Sequence, residues 1–305
     1  MTYPSYPVSA HVPKPGVIPL RPLGVGDILG GAIATIRTRP VLMLGMTALV
    51  VIVAQVIAFA ATYPLLNDLQ AVPLDENTTS AELADLFVNS MAVSGIGLVI
   101  VLVFRVLMSG FVTVVVGTAV IGRPQTVREA WKATRPRLLP LLGLTLVYPA
   151  VLVGVVLVIA VLAVIAGPLA VLAAIGAVVV GIWLLVLFSF ATTALVLENA
   201  GIGRAFGRSR QLVRGSWWRV LGITLLVSLI GGVVAFVISL PFLAATGNLT
   251  GPVTVSTSSL VWSTVGATVG SVLTEPFIAA ATVLLYTDQR MRREGLAEEL
   301  ARAAG

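Results

Sequence analysis

The chain has 305 residues, of which 58% are hydrophobic and only 10% are charged, and its formal net charge is +6. So large an apolar fraction excludes an ordinary soluble domain and predicts an integral membrane protein. The absence of cysteine excludes disulfides and thiol chemistry, and the single histidine, His11, excludes a histidine-based metal site.

The first predicted element is a proline-rich tail over residues 1–23. It contains six prolines and has no apolar run of the kind that a signal peptide requires. Proline at this density favours a disordered or polyproline II segment. We therefore expect residues 1–23 to form a disordered cytoplasmic tail and not a signal peptide.

An amphipathic helix is predicted to begin at Val25, and its pattern occurs three times. The copies start at Val25, Val127 and Ile202, and each has apolar or small residues at i, i+3, i+4, i+7 and i+11. This spacing is typical of one helix face. Arginines flank each copy, which is typical of a helix at the membrane–water interface. Thr126 and Glu129 also predict a capping box at the second copy.

Two membrane spans are predicted after each amphipathic helix. The stretch 138–197 must cross twice, since about 20 residues span the ~30 Å hydrocarbon core, and Gly167-Pro168 is its natural break. The predicted fold is an all-α membrane protein with six transmembrane helices, in three repeats of an interfacial amphipathic helix plus two spans. The spans are expected at residues 41–63, 92–121, 138–197 (two crossings), 219–246 and 259–286.

Basic residues predict the orientation of these spans. Every Lys and Arg outside the spans lies in the tail, in the two basic connections or at the C-terminus, and the three opposite loops have none. Basic residues stay on the cytoplasmic side, so both termini are predicted to be cytoplasmic. The chain then divides into the tail, a six-span membrane domain over residues 24–289 and a short, charged cytoplasmic helix over residues 290–305.

Two charged residues lie well inside the predicted spans, Arg105 in the second and Glu275 in the sixth. An arginine at this depth costs about 2.5–3.5 kcal/mol on translocon scales. An intramembrane ion pair that joins the two spans is the preferred interpretation. The alternative is a pathway for a substrate or for protons.

Two glycine pairs have the small-xxx-small spacing that favours close helix packing. Gly266 and Gly270 lie in the sixth span, and Gly203 and Gly207 lie on the third amphipathic helix. We expect both pairs to bring their helices close to a neighbour.

The third amphipathic helix, residues 201–218, carries the broadest basic surface. Its basic and aromatic residues can fix topology and anchor the chain at the interface. They can also bind anionic lipid headgroups, at about 1 kcal/mol per basic residue. Both interpretations can hold together. The candidate headgroup ligands are Arg204, Arg208, Arg210, Arg214, Trp217, Trp218 and Arg219.

Three segments carry a resemblance to a known family: Arg21–Leu29, Glu198 together with Ala205–Ile223, and Pro276-Phe277 together with Leu284–Gly295. They resemble the membrane domain of the glycerophosphoryl diester phosphodiesterase family. Some members fuse this domain to a catalytic barrel of about 250 residues with acidic and His ligands, for which this chain has neither the room nor such a histidine. The resemblance therefore implies a stand-alone membrane domain in a bacterial inner cell membrane, without phosphodiesterase activity.

The sequence shows no nucleophile elbow, zinc-protease motif or phosphate-binding loop. We therefore expect a non-enzymatic membrane protein without cofactor or metal, which organises lipid or a partner at the cytoplasmic face. The alternative is a transporter or lipid-moving protein with a path near Arg105 and Glu275. The expected partners are membrane lipids, anionic ones among them, and an unidentified protein, but no nucleic acid.

Overall fold

The computed structural model describes residues 16–19, 21–70, 79–166, 170–246 and 256–295. All regular structure in these ranges is helical. A π-helical turn, Val41–Gly45, precedes α2, and a 3-10 turn, Arg135–Arg137, precedes α5. The α-helices are α1 (Val25–Thr38), α2 (Met46–Gln70), α3 (Ser80–Val120), α4 (Val127–Thr134), α5 (Leu138–Thr145), α6 (Val147–Ala166), α7 (Ala170–Leu187), α8 (Ala191–Leu197), α9 (Ile202–Val213), α10 (Trp217–Ala245) and α11 (Thr257–Glu294).

Five helical stretches in the described part of the chain are long and apolar enough to cross a membrane. Large apolar side chains are exposed along them, as at Val56 and Leu229, and a surface of this kind is stable in lipid but not in water. The protein is therefore an all-α, multi-pass membrane protein. The five stretches are Val41–Tyr63, Ala84–Val120, Ala174–Leu197, Trp217–Ala245 and Thr257–Glu294.

The three amphipathic segments form α1, α4 and α9, and they have the same pattern of burial. The first apolar position of each, Val25, Val127 and Ile202, is 37–39% exposed. The capping box predicted at Thr126 and Glu129 is present, with each side chain accepting the backbone N–H of the other residue. The i+3 and i+7 positions are fully buried in all three helices: Ile28 and Ala32, Ala130 and Thr134, and Ala205 and Ser209.

The long helices pack as hairpins that the amphipathic helices join into a ring. Helix α2 packs on α3, α6 on α7, and α10 on α11. Helix α4 packs on α3, and α9 packs on α8, which are the helices that precede them in the chain. Helix α1 has no preceding helix in the described residues, and it packs on α11, the last one. Helices α4 and α9 therefore contact the hairpin that precedes them in the chain, and α1 contacts the last hairpin.

Helix α3 is longer than the predicted second span. The prediction began this span at residue 92, whereas the helix begins at Ser80 and has 41 residues. At about 1.5 Å per residue, its length of ~60 Å is twice the hydrocarbon thickness. Part of the acidic segment between the first two spans is therefore helical and extends α3 beyond the hydrocarbon core.

The stretch that was predicted to be the fourth span is two helices, α7 and α8, with a break at residues 188–190. A break frees backbone groups that need new partners in a buried site. Ser209 of α9 supplies them: its Oγ donates to Leu187 O at 2.7 Å and accepts from Phe190 N–H at 3.1 Å. The amphipathic helix thereby stabilises the interruption in the span.

The structure corrects the predicted disordered tail at its C-terminal end. Residues 1–15 and 20 lie outside the described residues, but Ile18 and Leu23 are fully buried in the core. Val17 N–H donates to Ala119 O at 3.3 Å. Gly16 and Gly31 lie so close to neighbouring atoms that a Cβ would overlap them. This part of the tail is therefore folded, because its apolar residues fill a gap between α1, α3 and α11.

The separate helix predicted over residues 290–305 is also corrected. Residues 290–294 continue α11 without interruption, and the helix ends at Gly295 in the left-handed region, with φ 67°. The residues beyond Gly295 lie outside the described residues. Val283–Gln289, just before this end, are buried on every side, since α1, α9 and α10 surround them.

The two glycine pairs differ in their packing. A Cβ on Gly266 would meet the Phe242 ring and one on Gly270 would meet the Ala235 backbone, so both allow α10 and α11 to approach closely. No atom lies within 4 Å of a Cβ built on Gly203 or Gly207. The predicted close contact at this second pair was wrong, because both glycines lie on the exposed face of α9.

Candidate functional site

The structure brings the two intramembrane charges together. Arg105 Nε of α3 lies 3.2 Å from Glu275 Oε2 of α11. The pair is not sealed inside the bundle, because the Arg105 side chain is 49% exposed and that of Glu275 is 26% exposed. The ion pair joins two of the candidate membrane spans, and it leaves one side of the arginine open.

The ion pair lines one cleft, which adjoins a second one. The first has a volume of about 70 Å³ and is lined by Arg105, Glu275 and residues of α2, α3 and α11. The second lies between α2 and α11, is almost wholly apolar and has a volume of about 410 Å³. Gln55 lines both clefts, so the apolar groove reaches the ion pair at Gln55.

A second charged region lies where α9 meets the end of α11. Arg208 Nε donates to Glu198 Oε1 at 2.8 Å, and Arg208 Nη2 donates to Glu294 Oε2 at 2.6 Å. The hydrogen bond with Glu294 is the main reason why the pKa of Arg208 is raised. Arg290 also donates to Glu294, and Tyr286 donates its hydroxyl to Glu198. These charge-assisted hydrogen bonds fix α9 against α11.

Asp288 is the centre of a further set of contacts and is fully buried. Its Oδ1 accepts the Leu23 N–H at 2.7 Å and Arg292 Nε at 2.8 Å, and its Oδ2 accepts Arg219 Nη2 at 2.9 Å. Arg219 and Arg292 both donate to Leu23 O as well. One carboxylate thus joins the start of the membrane domain to α10 and α11.

These contacts divide the predicted headgroup ligands into two groups. Arg208 and Arg219 are bound to carboxylates within the protein, and their role as lipid ligands stays a prediction. Their partners lie 10 and 69 residues away in sequence, and helix periodicity gives no signal for contacts that come from another helix.

The remaining basic residues of this surface are unpaired. Arg204, Arg210 and Arg214 are exposed, and no salt bridge joins any of them to an acidic side chain among the described residues. Trp218 is 79% exposed at the start of α10, beside Trp217, whose ring centroid lies 4.7 Å away. We call the set Arg204, Arg210, Arg214 and Trp218 the α9 basic surface.

Sequence reasoning missed the acidic residues that organise this region, Glu198, Asp288 and Glu294. A signal was present: few acidic residues lie in the strongly basic segments that flank the spans, and a rare carboxylate among arginines favours pairing. Asp288 and Arg292 also have i, i+4 spacing, which places them on one helix face. Within the described ranges, no group of three or more His, Asp or Glu side chains could hold a metal ion.

A protein-family profile, described as a domain of unknown function (DUF7847), matches residues 23–289. The match begins at Leu23 and ends just after Asp288, so it includes Glu198, Arg208, Arg219 and Asp288 but not Arg290, Arg292 or Glu294. Neither a curated protein nor a solved structure shows a significant match to the chain.

Proposed function

Since the chain belongs to the DUF7847 family of domains of unknown function, we propose a function from its own geometry. It is a non-enzymatic, six-span protein of a bacterial inner membrane that gathers anionic lipid at the cytoplasmic face. The α9 basic surface is the lipid-binding part. The earlier resemblance to the membrane domain of the glycerophosphoryl diester phosphodiesterase family stays a prediction that fits this role.

The observation that carries the proposal is the unpaired charge of the α9 basic surface. Every described carboxylate near it is already bound by Arg208, Arg219, Arg290 or Arg292. Helix α9 itself contains no acidic residue. Three exposed guanidinium groups beside an exposed tryptophan are suited to anionic headgroups, because each basic residue near such a surface gains about 1 kcal/mol.

The cyclic contact of α1 with α11 supports an architecture of three equivalent units. Helix α6, with 20 residues, is then a further span beside the five long apolar stretches and brings their number to six. An even number of spans places both termini on the cytoplasmic side, as the basic residues predict. In this arrangement α1, α4 and α9 all lie at the cytoplasmic interface. The network around Asp288 closes the ring between the first and third units.

The experiment compares lipid retention by purified variants. Arg204→Gln, Arg210→Gln and Arg214→Gln together should lower the phosphatidylglycerol retained in native mass spectrometry from mild detergent. High salt should have a similar effect on the unchanged protein, because it screens the same surface attraction. The matched control replaces three exposed basic residues of α4 and the 3-10 turn after it, Arg128, Lys132 and Arg135, with Gln. An equal loss in the control, or no loss in the α9 variant, would contradict the proposal.

A second candidate function is the movement of a lipid or substrate near Arg105 and Glu275. The clefts at this ion pair favour it, since a transporter needs an opening that reaches mid-membrane. The broken helix at residues 188–190 does not line either cleft, and the larger cleft is apolar. The first proposal therefore has the stronger support.

A further inference from the structure

Arg39 lies between α1 and the π-helical turn and is a charged residue whose hydrogen-bond partners are all neutral. Its Nη1 donates to Thr118 Oγ1 at 2.7 Å and to Val115 O at 3.3 Å. Its Nη2 donates to Arg123 O. These bonds hold the guanidinium against the end of α3, immediately before the first span begins at Val41.

The charge of Arg39 has no counter-charge among the described residues. No salt bridge includes it, and the acidic residues in the first turns of α1 and α4 have other partners. Asp27 is bound by Gly24 N–H and lies 3.6 Å from Arg21, and Glu129 accepts the Thr126 N–H. Partial burial lowers the pKa of Arg39 through desolvation. A partly desolvated cation without a paired anion favours binding of an external one.

Two open clefts meet at this arginine, and only Thr38 and Arg39 line both. One has a volume of about 380 Å³ and lies against Val17 and Ala34, and the other has about 330 Å³ and extends over Val41 and Leu42. Each is many times the roughly 10–15 Å³ that admits one water molecule. The side-chain hydrogen bonds of Arg39 within the described part of the chain all come from its two Nη atoms, so Nε donates none there.

We propose that Arg39 binds the phosphate of an anionic phospholipid, with the headgroup in the cleft beside Thr38 and the acyl chains leaving over Val41 and Leu42. Arginine suits this ligand because its planar donors match phosphate oxygens in charge-assisted hydrogen bonds. The apolar residues at the start of the first span favour a lipid over a free phosphate. This site is separate from the α9 basic surface, and it would bind one headgroup in a defined position.

The first test measures phosphatidylglycerol bound per molecule by native mass spectrometry for Arg39→Gln and for Arg37→Gln. Arg37 is exposed in the last turn of α1, two residues before Arg39, and lines neither cleft. It therefore controls for net charge. We expect a loss of about tenfold in affinity for Arg39→Gln, as for one charge-assisted hydrogen bond, and little change for Arg37→Gln. Equal losses would overturn the proposal. Displacement of the lipid by inorganic phosphate at similar concentration would assign the site to free phosphate and would overturn it too.

A second test keeps Arg39 and does not depend on the stability of its variant. Thr38→Cys introduces the only thiol into a cysteine-free chain, at an exposed position that lines both clefts. Maleimide labelling should be several-fold slower in phosphatidylglycerol vesicles than in phosphatidylcholine vesicles. Equal rates would overturn the proposal. Adding the three α9 substitutions should leave this protection in place, so failure of the α9 surface and failure of the Arg39 site give different results.

Discussion

At the scale of single residues, Asp288 joins two distant segments of the chain to α11. It accepts hydrogen bonds from Leu23, Arg219 and Arg292 while it is itself fully buried. Asp288→Asn removes the charge and leaves two guanidinium groups uncompensated. We expect a loss of about 2–3 kcal/mol in stability, below the cost of fully buried pairs because both arginines are about one-third exposed.

Thermal unfolding in mild detergent measures this loss, and limited proteolysis near residue 20 reports whether the Leu23 segment has been released. Asp27→Asn is the matched control, since Asp27 is a partly exposed carboxylate at the start of α1 whose contacts are all local. A control variant that loses as much stability as Asp288→Asn would show that the contacts of Asp288 add little to the stability of the fold.

The contact between Arg105 and Glu275 predicts energetic coupling between α3 and α11. Arg105→Leu and Glu275→Leu should each destabilise the protein, because each leaves one charge alone in the membrane, and the double variant should recover much of the loss. A double-mutant cycle on thermal stability should give a coupling on the order of 1 kcal/mol. Additive losses would mean that the charges act separately, and the transport function would then become the better proposal.

At the scale of elements, the close approach of α10 and α11 depends on Gly270. A Cβ there would lie 3.2 Å from Ala235 O, so Gly270→Val must push the helices apart. We expect a cost of about 1–3 kcal/mol, as for other overpacked sites. Gly232→Val in α10 is the control, since no atom lies within 4 Å of a Cβ at that position. Thermal unfolding compares the two variants, and similar values for both would argue against close packing at Gly270.

The amphipathic helices serve as connectors in the bundle as well as surface elements. Ser209 of α9 binds the free backbone groups between α7 and α8, and α1 buries Ile28 and Ala32. The same helices leave arginines exposed, at Arg37 in α1 and at Arg204 and Arg210 in α9. One face of each helix therefore packs in the bundle while the other is exposed, which is typical of a helix at the membrane–water interface.

At the scale of the whole molecule, the six-span arrangement predicts the side of each loop. Reporter fusions at Glu76 and Asn248 should be active only outside the cytoplasm, and fusions at Gln125, Gly203 and Gly305 only inside. The reason is that loops without Lys or Arg cross the membrane and basic segments do not. A fusion with activity on the opposite side would contradict the six-span arrangement.

The sequence alone determined the membrane class and the positions of most helices. A 58% hydrophobic composition and long apolar runs require a lipid environment. The i, i+3, i+4, i+7 spacing predicted α1, α4 and α9 because helix periodicity is a property of neighbouring residues. The first span was predicted from its long apolar run with the same bounds, 41–63, that the structure gives.

Only the tertiary structure decided which charges are free and which are bound. Arg204, Arg208 and Arg210 all lie on α9, yet only Arg208 reaches Glu198, 10 residues away, and Glu294, 86 residues away. The buried Leu23 and the long continuation of α11 were likewise missed, because their partners come from distant segments. Such contacts depend on how each packed helix is rotated about its axis and shifted along it. The pattern of neighbouring residues in the sequence carries no information about either.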